Sequence, residues 1–301
     1  KLLPPISPKT HIDFRDQIKK NKRKSFFLMA IIFIVLIALG YAISFAFSPE
    51  YFFFIMIIAI IFSISYLLFS YHNSHKIAVK AVNAKPATRE QYPDYYRLVE
   101  GLKIASGLPM PKLYVMENPQ INAFASGRNP ENSIICVTTG ALEKLTRREL
   151  EGVLAHELSH IANYDIRYIT LVSVMVGMIA IISQIFLRSL WFKGRGNNDS
   201  KLQMIAMIVG IALAILAPIA VHLVQMSISR KREFAADASG VKFTRYPTGL
   251  ILALKKIKHD HTHAPKKVSK AVAPLFFANP FKNKMSTHPT LEARINLLER
   301  M

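Results

Sequence analysis

Apolar positions in this chain fall into a few long blocks separated by stretches of shorter period. Phe26 to Pro49 and Tyr51 to Tyr71 contain no charged residue. Each is long enough to cross about 30 Å of hydrocarbon as a helix. The joint Ser48-Pro49-Glu50 is short, so the pair reads as a helical hairpin. Two more uncharged blocks, Tyr168 to Leu187 and Leu202 to Ser229, read as a second hairpin. Between the hairpins the pattern changes. Tyr92 to Ala105 reads as a helix closed by Gly107-Leu108-Pro109. Lys112–Met116, Ile121–Ser126 and Ser133–Thr138 read as strands, with a turn over residues 127–132. Leu150, Val153, Leu154, Glu157, Leu158 and Ile161 then recur at helical spacing, and Thr146-Arg147-Arg148-Glu149 has the form of a capping box. A last helical stretch, Ser229 to Ala238, is predicted to stop at Gly240.

Composition agrees with a membrane protein. Of 301 residues 51% are hydrophobic, and 39 Lys and Arg against 19 Asp and Glu give a formal charge of +20. The charge is spread along the chain without a nucleic-acid motif, which points away from nucleic acid and toward basic flanks on membrane segments. Lys19, Lys20, Lys22, Arg23 and Lys24 precede the first hairpin, and Lys76, Lys80 and Lys85 follow it. Its turn has no Lys or Arg, so both ends are expected on the cytoplasmic side. Arg167 and Arg230-Lys231-Arg232 flank the second hairpin in the same sense. Its loop nevertheless carries Arg188, Lys193, Arg195 and Lys201, so full crossing and partial embedding both stay open there. Cys136 is the single cysteine; it excludes an intramolecular disulfide and fits a packed strand position in a reducing compartment. His259, His261 and His263 read as part of a polar cytoplasmic loop, and His222 as a packed side chain.

The chemistry lies in His156-Glu157-Leu158-Ser159-His160, an H-E-x-x-H sequence. On a helix the two histidines share a face and can grip one metal ion, and the glutamate can take a proton from an attacking water. Two such histidines alone would read as surface residues; the intervening glutamate and the helical context favour the metal. Catalytic zinc commonly has three protein ligands. Glu233, in Ser229-Arg230-Lys231-Arg232-Glu233-Phe234-Ala235-Ala236-Asp237-Ala238, is the best third candidate. Asp237, one turn on, can accept from a ligand histidine and fix its tautomer. Without the H-E-x-x-H these acids would read as a solvated helix face paired with Arg230 and Arg232.

Taken together, H-E-L-S-H-I-A-N-Y-D and S-R-K-R-E-F-A-A-D-A resemble the HtpX-type membrane zinc metalloproteases, relatives of the CAAX-processing endoprotease. Ile121-Asn122-Ala123-Phe124 resembles that family's N-A-F segment. Ser286-Thr287-His288-Pro289-Thr290 with Glu292-Ala293-Arg294-Ile295 resembles its T-H-P motif. The four segments stand in family order from Ile121 to Ile295. The resemblance implies one catalytic Zn2+ on His156, His160 and Glu233, with Glu157 as base. It also implies Asn122 as a contact to the substrate backbone and His288 as a group near the oxyanion.

The expected architecture is a mostly α integral membrane protein. It has two transmembrane hairpins and a cytoplasmic α+β, gluzincin-like metalloprotease domain with a small β-sheet. The expected divisions are an N-terminal cytoplasmic segment 1–25, a hairpin 26–72, a protease part 73–166, a second hairpin 167–229 and a protease part 230–301. The expected activity is zinc-dependent endoproteolysis at the cytoplasmic face of the cell membrane. The expected partners are the lipid bilayer and unfolded or damaged membrane proteins. CAAX-type cleavage of prenylated peptides and a non-catalytic scaffold with a structural metal are the alternatives. A structural metal would want a fourth protein ligand, which the sequence does not offer near the two helices.

Overall fold

Helix α6 (Arg147–Ala162) is the element around which the others pack. It begins as its sequence dictates: the Thr146 N–H donates to Glu149 Oε2 at 2.7 Å, closing the capping box. Lys256 Nζ reaches the same oxygen at 2.7 Å. The structure, a computed structural model, describes residues 14–44, 49–172, 207–208, 210–211, 230–260, 276–277 and 289–301. Every residue from Gly152 to Ile161 is buried, because a sheet and three helices enclose it.

Helix α4 (Pro93–Ser106) has proline in its first turn and ends at Gly107, whose φ of 71° closes it in the left-handed region. Its Tyr95 Oη donates to the Ile135 carbonyl at 3.0 Å, joining the helix to the sheet. The sheet has the order β1-β2-β4-β3, with β1 (Lys85–Pro86), β2 (Lys112–Met116), β3 (Ala123–Gly127) and β4 (Ser133–Thr138). Strands β2 and β4 run parallel, with Tyr114 opposite Cys136; β3 is antiparallel to β4, with Ala123 opposite Val137. Only the two-residue β1 lacks a sequence signal. Strand β3 starts later than predicted because the Ile121 N–H is taken by Asp260 Oδ2 at 2.7 Å and the Asn122 N–H by Thr138 Oγ1 at 3.0 Å. Thr138 also caps the short helix α5 (Thr139–Lys144), its Oγ1 accepting from the Ala141 N–H.

The other flank of α6 is covered by α7 (Arg230–Thr244), α8 (Pro247–Asp260) and α9 (Leu291–Leu298). The expectation that α7 stops at Gly240 is corrected: the helix runs on to Thr244. Gly240 lies instead at a helix crossing, where a Cβ would come within 3.1 Å of the His156 nitrogen. The same device sets α8 against α6, since a Cβ on Gly152 would lie 2.6 Å from the Leu250 nitrogen. Small residues at both crossings let the backbones approach and carry the site residues of α7 to those of α6.

Beyond this core lie α1 (Phe14–Ser44), α2 (Phe52–His72) and α3 (Ser74–Ala81), with a 3-10 turn at Pro49–Tyr51 between the first two. Helices α1 and α2 pack as a hairpin. Leu28, Ile32 and Leu36 bury themselves with Tyr168, Leu171 and Val172, and Tyr66, Leu67 and Tyr71 pack against them. The outward faces leave Phe26, Phe27, Ile34, Phe53, Phe54 and Phe62 exposed. An apolar surface of that extent requires a non-aqueous neighbour. Among the described residues, α2 is the one helix both long and apolar enough to cross a membrane. Of the two crossing hairpins expected, the described residues bear out one such span. Helix α1 begins at Phe14 and includes the basic run Lys19 to Lys24. The second hairpin lies outside the described residues apart from its first residues, 168–172, and residues 207–208 and 210–211.

Two glycines of opposite environment test this packing. Gly152→Ala should destabilise the folded chain by about 1–3 kcal/mol through overpacking at the α6–α8 crossing. Gly101→Ala, in α4 with nothing within 4 Å of the new Cβ, should stabilise it by about 0.5–1 kcal/mol. Thermal unfolding in one detergent reads both; equal shifts would contradict the crossing.

Candidate metal centre

Three side chains from two helices converge in the core. His156 and His160 project from one face of α6, and their Nε2 atoms lie 3.1 Å apart. Glu233, in the first turn of α7, places Oε2 3.7 Å from His156 Nε2 and Oε1 3.7 Å from His160 Nε2. A tetrahedral zinc with bonds of about 2.0–2.1 Å requires donors about 3.3 Å apart. Two imidazoles and a carboxylate at these separations, all buried, fit such an ion.

Each histidine is oriented from behind by an acid. His156 Nδ1 lies 2.8 Å from Asp237 Oδ1, and His160 Nδ1 lies 3.1 Å from Asp165 Oδ2. With Nδ1–H donating to the carboxylate, each ring in its neutral, metal-binding form would present the Nε2 lone pair toward Glu233. Asp237 is held in turn by Arg294 from α9, whose Nε donates to Oδ2 at 2.9 Å and Nη2 to Oδ1 at 2.6 Å. The forked guanidinium matches the carboxylate with two parallel bonds. Its Nη1 stands 3.7 Å from Glu233 Oε2, and its plane covers the Phe277 ring at 4.4 Å.

Burial and charge set the protonation of these groups. Burial, and after it the charge of Arg294, pushes His156 down to about 4 against the pull of Asp237. Burial also disfavours charge on His160. The hydrogen bond to Asp165 and the charges of Glu233, Asp165 and Glu157 outweigh it and push His160 up to about 9. Burial pushes Glu157 up to about 7, with Glu233 adding to the effect. Asp237 stays below the usual carboxylate range despite its burial, because Arg294 and His156 favour its charged form.

Glu157 faces the sheet, where the nearby Ala125 backbone N–H favours its charged form against burial. Ala125 belongs to β3, the edge strand nearest α6. The outward groups of β3 already have partners one register step earlier. The Ala123 carbonyl accepts from the Phe277 N–H at 2.8 Å, and the Ala123 N–H donates to Asn122 Oδ1 at 3.0 Å. Asn122 is thus buried at the start of the edge strand, its side-chain oxygen turned onto its own chain. The Phe277 ring meets His156 edge-on at 4.7 Å. His288 lies outside the described residues.

The structure therefore gathers His156, Glu157, His160, Glu233 and Asp237 into one site. It adds Phe277, and it shows what Asp165 and Arg294, already inside the family-like segments, do there. Arg294 did leave a signal. Leu291, Arg294, Ile295 and Leu298 form an i, i+3, i+4, i+7 stripe, so the arginine occupies a core-facing position of an amphipathic helix. Asp165 closes the H-E-L-S-H-I-A-N-Y-D segment, five residues beyond His160, where helical structure resumes after Asn163-Tyr164.

Comparison with known proteins agrees with this geometry. The model of Peptidase family M48 matches residues 90–301. The chain is similar to a Protease HtpX homolog of Dictyoglomus thermophilum, 41% identical over 292 residues, covering 96% of this chain and 95% of that protein. It is similar to another from Caldanaerobacter subterraneus subsp. tengcongensis, 39% identical over 290 residues, with 94% and 96% covered. Among solved structures it resembles S. mikatae Ste24p, with a TM-score of 0.50 and 18% identity, over 95% of this chain and 67% of the other. That last likeness concerns the fold alone. A match over most of the chain, with relatives aligned nearly end to end, settles the family: this chain belongs to peptidase family M48, among its HtpX-type members, and is a metalloendopeptidase.

Proposed function

We propose that the chain is a zinc-dependent endopeptidase of the cell membrane. It acts at the cytoplasmic face on unfolded or damaged membrane proteins. The observation that carries this reading is the position of the Glu157 carboxylate. It lies beside the His156, His160 and Glu233 donors and faces the outward N–H of an edge strand, at Ala125. Catalytic base and strand edge are thereby in register with one another.

His156, His160 and Glu233 would hold the zinc, which when bound polarises the scissile carbonyl and makes water more acidic. Glu157 takes the proton of the attacking water and returns it to the leaving amine. The Ala125 N–H beside Glu157 favours its charged, proton-accepting form. Asp237 and Asp165 hold the two imidazoles in one tautomer, and Arg294 keeps Asp237 in place. An extended substrate would lie along β3 by main-chain pairing, a mode that asks for backbone and not for a particular sequence. Such pairing requires a locally unfolded segment, which favours misfolded over intact substrates. Basic flanks on the first hairpin support the cytoplasmic side. The exposed apolar faces of α1 and α2 support a bilayer as neighbour.

Glu157→Gln should bind zinc like the wild type while cleavage of an unfolded substrate falls at least about a hundredfold; full activity in that variant would sink the mechanism. A destabilised membrane protein should be cleaved much faster than its intact parent at equal concentration, and equal rates would remove the quality-control reading. In the zinc-free chain His160, pushed up to about 9, carries a proton at neutral pH that zinc must displace. Zinc uptake should therefore release protons, and affinity should fall by about tenfold per pH unit as pH drops below 9. Chelator competition between pH 6 and 9 checks this; a flat profile would contradict the protonated state.

A further inference from the structure

The loop that follows α6 is held from outside the protease core. After His160 the chain turns at Asn163-Tyr164, with Tyr164 at a φ of 58°, in the left-handed region that a bulky side chain rarely adopts. Helical structure resumes at Asp165. The turn places the Asp165 carboxylate behind His160, fully buried. An aspartate so placed needs a partner for its second oxygen. That partner comes from α1. Asn21 Nδ2 donates to Asp165 Oδ1 at 2.7 Å and to the Asn163 carbonyl at 3.0 Å, using both amide hydrogens. Lys22 Nζ sits over the Tyr164 ring at 4.3 Å. One residue of α1 thus fastens both ends of the turn, and its neighbour covers the residue between.

We propose that Asn21 is a positioning residue of the metal centre. It holds Asp165 against His160 and so makes the basic, membrane-proximal end of α1 part of the site. Two observations support this beyond the distances. Asn21 is buried, and it begins the stripe Asn21, Ser25, Leu28, Ile32 and Leu36 by which α1 packs inward. It is a neutral amide inside the run Lys19, Lys20, Lys22, Arg23 and Lys24. The neutrality matters physically. Arg232 Nη1 already stands 4.0 Å from Asp165 Oδ1. A second cation at position 21 would compete with His160 for the carboxylate. An amide satisfies the oxygen and leaves the negative charge directed at the imidazole.

The proposal rests on the reading of His160 as a zinc ligand, and its test separates the two. The full-length chain in detergent is compared with Asn21→Ala, Asn21→Asp, Asp165→Asn and the double variant Asn21→Ala/Asp165→Asn. Zinc affinity is read by chelator competition, kcat and KM on an unfolded substrate, and thermal unfolding on the zinc-free protein. Asn21→Ala should weaken zinc binding by about 10–100-fold, the range for partners that orient a ligand histidine. kcat should fall and KM should stay within about twofold. Asn21→Asp, which sets a carboxylate against Asp165, should lose more. The double variant should bind zinc no more weakly than Asp165→Asn alone, because both changes break one chain of contacts. A purely structural role would lower the unfolding temperature and leave the zinc affinity of the folded protein intact. If the wild type binds zinc and Asn21→Ala and Asn21→Asp match it, the proposal falls and the metal site stands. The same holds if the two single losses multiply in the double variant. If the wild type binds no zinc, both fall.

Discussion

The fork between Arg294 and Asp237 is the interaction on which the site depends, because it solves the problem of burying charge. Asp165, Glu157, Glu233 and Asp237 bring four carboxylates into one buried volume, with Arg294 and Arg232 as the guanidiniums beside them. Buried charges persist only when paired and hydrogen-bonded. Among the described residues, two guanidiniums leave two negative charges over, which is the charge of one divalent cation. The protonation pattern without metal points the same way. His160 is driven toward its charged form and Glu157 toward its neutral form, each change reducing the surplus negative charge. A dication between His156, His160 and Glu233 would do this more directly and leave Glu157 ionised as a base.

The same network explains why the protease core has few degrees of freedom. Arg294 comes from α9, Asp237 and Glu233 from α7, and His156 from α6, so one buried fork joins three helices. Gly240 lets α7 approach the backbone of His156 itself. A bulkier residue there would move Glu233 and Asp237 together, since both lie on the same rigid helix. Packing and chemistry are coupled at that crossing, and the tolerance of the ligand geometry is set by backbone contact.

Much of this could be read in the sequence, for identifiable reasons. The capping box of α6, the proline and glycine that bound α4, and the turn between β3 and β4 are local devices, so local sequence reveals them. His156 and His160 lie four residues apart on one helix with Glu157 between them, and Glu233 and Asp237 repeat that spacing. What escaped reading depends on distant partners. The end of α7 was misplaced because Gly240 reads as a helix stop and serves as a packing notch, a distinction made only by α6. Asn21 and Asp165 are 144 residues apart and neither neighbourhood names the other. Arg294 was half legible from its stripe, but an arginine on an apolar face has meaning only once Asp237 is beneath it.

The edge strand carries the last consequence of this arrangement. β3 has one side committed to β4 and the other turned toward the site, where Ala125 faces Glu157 and Ala123 accepts from Phe277. A strand entering along that edge on the proposed reading would not meet an unsatisfied carbonyl. It would exchange its own N–H for that of Phe277, one backbone hydrogen bond for another of the same kind. The exchange is nearly neutral in hydrogen bonding, so the net driving force must come from elsewhere, from side chains that replace the Phe277 ring beside His156 and Arg294. An apolar, unfolded segment can supply both an open backbone and such a side chain. A folded protein, whose strands are paired and whose aromatic residues are buried, supplies neither. On the proposed reading, selectivity for damaged proteins would follow from a strand edge whose own partner is an aromatic residue.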